Sequence, residues 1–81
     1  MFNSDLINIM LILDKMNLNS KLERASFKAM GFDGKTVEKK ILSKEIAFLE
    51  SNKDLSKITQ IEITFLNDFI DNRQNALDTL K

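Results

Sequence analysis

Seven cations, Lys21, Arg24, Lys28, Lys35, Lys39, Lys40 and Lys44, fall within residues 20–44 against three acids, Glu23, Asp33 and Glu38. Clustered ammonium and guanidinium groups bind anions, either a phosphate backbone or the carboxylates of an acidic protein. A second group, Asp71, Asn75 and Asp78, recurs at spacings of four and three, which on a helix aligns oxygens toward one divalent cation. It lacks the loop pattern of a calcium site, so a solvated acidic face is the simpler expectation and no metal is expected. Covalent and acid–base chemistry have little to work with. The 81 residues include no histidine, cysteine or tyrosine, and the serines and aspartates form no triad-like grouping. The chain is expected not to be an enzyme and to need no cofactor.

The stretch from Ala29 to Thr36 ends in Gly34-Lys35-Thr36 and satisfies a relaxed phosphate-loop pattern with Ala29 in place of the first glycine. That motif works between a strand and a helix within a sheet. Here a helical pattern precedes it, so a turn between two helices is expected. What remains is a helix N-terminus beside Lys35, with amides able to hold one anion.

The elements that position these groups are all helical. Tryptophan and proline are absent, 43% of residues are hydrophobic, and apolar residues recur three and four apart. Ser4 is a fitting N-cap for a helix over residues 4–16, apolar on nearly every side and therefore expected to be buried. Asn17 to Asn19 is expected to break the chain. Ser20 and Glu23 have capping-box spacing for a second helix over 20–30, with Leu22, Ala25, Phe27, Ala29 and Met30 on its apolar side. Gly31 supplies the left-handed residue that ends it, and Phe32 folds back as the hydrophobic contact. A third helix over 36–51 buries Val37, Ile41 and Phe48 in one patch and Leu42, Ile46 and Leu49 in another. Its lysines Lys35, Lys39, Lys40 and Lys44 then form a solvated face. The fourth, over 54–80 and capped by Asp54 or Ser56, carries the longest apolar stripe, and at about 1.5 Å per residue it extends roughly 40 Å. The fold expected is an all-α four-helix bundle forming a single domain over residues 1–81.

Ser26 to Leu42 resembles the helix-turn-helix of small transcription regulators, with Gly31 and Phe32 in the turn and Thr36 and Val37 opening the second helix. The resemblance implies that Lys35, Thr36, Lys39 and Lys40 meet base edges while Lys21, Arg24 and Lys28 meet phosphate. It departs from the pattern at Phe27, where a small residue allows close crossing, and at Lys40, in place of a core residue. Net charge is zero, which suits DNA poorly.

The last helix also carries Glu62 and Arg73 in the middle of its apolar stripe, too far apart to meet within one helix. A second copy laid antiparallel sets Glu62 against Arg73 of that copy. The interface then comprises Leu55, Ile58, Glu62, Phe65, Leu66, Phe69, Ile70, Arg73, Leu77 and Leu80. The alternative is intramolecular, with Arg73 meeting Glu45 or lying at the stripe's end and Glu62 meeting Arg24 or a lysine. A dimer also suits a chain of this size, which buries only about 60% of its unfolded surface alone.

The function expected is that of a small cytoplasmic interaction protein, a regulator or inhibitor that binds a larger macromolecule through the lysine-rich face. Its partners would be a second copy of itself and another protein. A dimeric helix-turn-helix regulator, with nucleic acid as partner, is the alternative. Abundant Asn, Lys and Ile suggest an AT-rich genome, such as a low-GC bacterium or its phage, in which case the site of action is the host cytoplasm. No stretch has the length and apolarity of a membrane span, and no signal peptide is expected.

Overall fold

The computed structural model describes residues 4–53 and 59–80, which form three helices and, among the described residues, no strand. Helix α1 runs over Ser4–Ala29, α2 over Gly34–Lys53 and α3 over Gln60–Thr79. Together they make an elongated body of 45 × 23 × 22 Å. The length is set by α1, whose 26 residues extend about 39 Å.

The break expected at Asn17 to Asn19 is corrected: α1 passes through it without interruption. An interior asparagine costs at most about 0.7 kcal/mol relative to alanine, and no glycine or proline stands there to stop the helix. Packing on both sides of the segment outweighs that cost, because Met16 and Ser20 are both buried. Ser20 is consequently not a cap. Its hydroxyl donates across to Glu45 Oε2 at 2.6 Å. The capping expected of Ser4 lies outside the described side chains.

The end of α1 follows from local chemistry. Gly31 takes φ of 93°, Phe32 N donates to Phe27 O at 3.3 Å and Gly31 N to Lys28 O at 3.0 Å, the two bonds of a Schellman ending. The accompanying apolar contact is Phe27 against Phe32, edge to face at 5.8 Å. Asp33 then caps α2, its Oδ1 accepting from Thr36 N at 2.7 Å.

Helix α3 begins at Gln60, not at residue 54. Thr59 is its N-cap and forms a capping box, with Thr59 Oγ1 accepting from Glu62 N at 3.2 Å and Glu62 Oε1 from Thr59 N at 3.3 Å. Caps at Asp54 or Ser56 lie outside the described residues.

The core is built where the three helices meet. Ile9 and Met16 of α1, Leu49 of α2, and Leu66 and Ile70 of α3 form one buried cluster, with Leu13, Ile46, Phe48 and Phe69 half-buried around it. Val37 and Ile41 extend the buried surface along α2 toward the first turn. Side-chain links between α1 and α2 run antiparallel. Arg24 pairs with Glu38, Glu23 with Lys44 and Ser20 with Glu45, so rising numbers on one helix meet falling numbers on the next over about two turns.

Candidate functional site

The polar centre of the molecule is Glu45. Its Oε2 accepts from Ser20 of α1 and its Oε1 accepts from Arg73 Nε of α3 at 3.0 Å, so one carboxylate ties all three helices. The Arg73 guanidinium also donates to Phe69 O at 3.2 Å and lies over the Phe69 ring. Among the described residues every buried side-chain nitrogen or oxygen has a partner. Beside this cluster lies a cleft of about 240 Å³ between α1 and α2, lined by Met16, Ser20, Glu23, Lys44, Glu45 and Phe48 among others. Its two carboxylates already hold cations, Glu23 through Lys44 at 3.1 Å and Glu45 through Arg73. The arrangement is structural.

Arg73 thus takes the intramolecular partner, and Glu62 closes the capping box of its own helix and is buried. The stripe of α3 on which a dimer was expected faces inward. Leu66 and Ile70 lie in the chain's own core and Phe69, Arg73, Leu77 and Leu80 are half-buried, while Phe65 is exposed. Leu55 and Ile58 lie outside the described residues. With Arg73 on Glu45 and Glu62 in its own capping box, neither charge calls for a second copy against α3.

The seven cations do not form one face. Lys40 and Lys44 lie a turn apart on the flank of α2 that meets Phe27 and Glu23 of α1. Lys35 and Lys39 are turned about 100° or more from them, and Lys39 is half-buried, which corrects the expectation of a single solvated lysine face. Arg24 is engaged with Glu38 through Nε at 2.8 Å and a second bond at 3.1 Å. That bond holds the Glu38 carboxyl below its ordinary value and the Arg24 guanidinium above its own, against a smaller opposing effect of burial. Lys21, Lys28 and Lys35 are exposed. Contacts between α1 and α2 continue from Phe27–Lys40 through Arg24–Glu38 to Ser20–Glu45.

The anion site expected at the start of α2 is occupied from within. The Asp33 carboxylate sits on the Thr36 N–H, and that bond is the largest cause holding its own titration below the usual carboxylate range. Asp71, Asn75 and Asp78 are exposed, and among the described residues no cluster of three metal-ligating acids forms.

Two surface features escaped the residue-by-residue reading. At the first turn, Met30 is 68% exposed beside the half-exposed Phe32, and Lys40 Nζ stands 4.9 Å from the Phe32 ring and 5.7 Å from the Phe27 ring. Along α1, the apolar residues assigned inward to a separate second helix point outward. Leu22 is 62% exposed and Ala25, Ala29 and Met30 are exposed with it, whereas Phe27 turns in. Only the continuity of α1 fixes that phase. None of its helical described residues forms a segment long and apolar enough to cross a membrane. No protein-family model, curated protein or solved structure matches the chain.

Proposed function

We propose that the protein is a non-catalytic regulator or inhibitor that acts by occupying the surface of a larger protein. The observation that carries this reading is the end of the α1–α2 hairpin. Met30 and Phe32 expose apolar surface there, and Lys28, Lys35 and Lys40 stand within a few residues or in ring contact. An apolar centre rimmed by cations complements a protein surface with an apolar pocket and an acidic rim. Phe32 is fixed by its edge contact with Phe27 and by the turn around Gly31, so little ordering remains to oppose binding.

Charge distribution favours protein over nucleic acid. Arg24 and Lys44 are matched by Glu38 and Glu23, and the net charge is zero. DNA affinity rests largely on phosphate neutralisation and falls steeply with salt.

Immobilised protein incubated with low-GC bacterial lysate separates the readings. A protein retained at high salt by the wild type, and lost with Phe32→Asp in a chain of unchanged helicity, fits the proposal. Retention of duplex DNA that collapses with salt, and is abolished by Lys39→Glu with Lys40→Glu, would replace it with the DNA-binding alternative.

A further inference from the structure

Helix α1 has two apolar faces. Ile9, Met16 and Phe27 point into the protein, and Ile7, Leu11, Leu18, Leu22, Ala25 and Ala29 lie on the opposite side, within about 40° of one straight line. Leu11 is 62% exposed and Leu18 58%, with Met10 exposed at the margin. This line runs about 33 Å from Ile7 to Ala29, and neither α2 nor α3 covers it.

We infer that the outward face of α1 is covered by the same face of a second copy, antiparallel and centred on Leu18. This inference uses a surface distinct from the hairpin end and stands or falls separately from it. Its first support is shape. Five of the six positions are symmetric about residue 18, so an antiparallel copy sets Leu18 on Leu18, Leu11 on Ala25 and Ile7 on Ala29, with Leu22 beside the aliphatic stem of Lys15 of that copy. Bulky side chains then meet small ones at both ends, and the two ends are equivalent. A parallel copy would set large against large at one end and alanine against alanine at the other.

Charge gives the second support. Asp14 and Lys21 flank the line on the same side, are exposed, and make no ion pair among the described residues. A twofold axis at Leu18, perpendicular to the helices, keeps that side in common and brings Asp14 to Lys21 of the other copy, within one residue of register. The axis makes the pair twice. The antiparallel order also opposes the helix dipoles favourably.

The third support is area. Ile7, Met10, Leu11, Leu18 and Leu22, at about 100 Å² for each half-exposed side chain, supply roughly 500 Å² of apolar surface. Ala25, Ala29 and the stems of Lys15 and Lys21 extend this toward the ~800 Å² per partner of a standard interface.

The natural chain has no cysteine, which permits a direct test of register. Mixing Leu11→Cys chains with Ala25→Cys chains under oxidation should give a cross-linked heterodimer. Leu11→Cys alone should stay uncross-linked, because the two thiols would be about 21 Å apart. In sedimentation equilibrium the wild type should be a dimer at tens of micromolar. Asp14→Lys should raise the dimer dissociation constant at least tenfold, and adding Lys21→Asp should bring it back. Cross-linking of Leu11→Cys to itself, or a wild type that remains monomeric, would overturn the inference, as would a charge swap that fails to restore association. A monomer that still retains a lysate protein through Phe32 would refute the pairing while leaving the interaction reading intact.

Discussion

Arg73 meets Glu45 across 28 residues of sequence, Nε to Oε1 at 3.0 Å, and not the carboxylate of Glu62 on its own helix. Glu45 is little exposed and also accepts from Ser20, so one side chain holds α1 and α3 to α2. Removing it leaves the Arg73 guanidinium, itself mostly covered, without its counter-charge. Glu45→Ala should therefore cost about 2 kcal/mol, in the range of a hydrogen bond to a charged group. Glu38→Ala, at a pair whose two side chains are more than a third exposed, should cost less than about 1 kcal/mol. Urea denaturation of the two variants checks the order, and equal losses would mean that Glu45 is not the tie described.

Gly31 tests the turn. A Cβ there meets nothing within 4 Å, so the cost of a side chain comes only from φ of 93°. Gly31→Ala should lose about 1 kcal/mol, and Gly31→Asn less, since asparagine tolerates the left-handed region better. A loss of several kcal/mol on Gly31→Ala would point to a clash that the open space at this turn does not contain.

Thr59 tests the start of α3. Thr59→Ala removes the acceptor for Glu62 N and should cost about 1 kcal/mol, while Thr59→Ser should be close to neutral. Amide hydrogen exchange at Glu62 and Ile63 should rise in the alanine variant and stay unchanged in the serine variant.

These caps also show what was legible in the chain. The pattern of serine or threonine followed three residues later by glutamate occurs at Ser20–Glu23 and at Thr59–Glu62. The local signal is the same at both, and only the second opens a helix. At Ser20 the decision comes from Glu45, 25 residues away, which local pattern cannot reveal. The Schellman end at Gly31 and Phe32 was legible because every atom it needs lies within six residues. The burial of Val37 and Ile41 was legible from spacing along one helix. The outward stripe of α1 was not, because its phase depends on a helix continuing past two asparagines. For Arg73 two acids stood open, Glu62 of a second copy and Glu45, and choosing Glu45 required knowing how the helices lie.

Stability should depend on pH through Glu38 and Asp33. The Arg24 hydrogen bond lowers the folded-state titration of Glu38, and the Thr36 N–H lowers that of Asp33. The unfolded chain then binds more protons as pH falls below about 5, so stability should be fully present above that range and decline through it. Glu38→Gln with Asp33→Asn should flatten the fall of Tm between about pH 5 and pH 3, since asparagine still caps α2. An unchanged slope would assign the acid sensitivity to other carboxylates.

The up-and-down order of the helices sets a timescale. Ser20–Glu45 and Arg73–Glu45 join neighbouring helices over 25 and 28 residues, and helical topologies of such local connectivity fold in microseconds to milliseconds. Two chains at about 1 μM, meeting at about 10⁶ M⁻¹ s⁻¹, need on the order of a second to find each other. Each newly made chain would thus wait as a folded monomer far longer than it took to fold, with Leu11, Leu18 and Leu22 in water throughout. During that wait Asp14, Lys15 and Lys21, which flank the apolar line, would set charges against unmatched surfaces in indiscriminate hydrophobic encounters and so disfavour them.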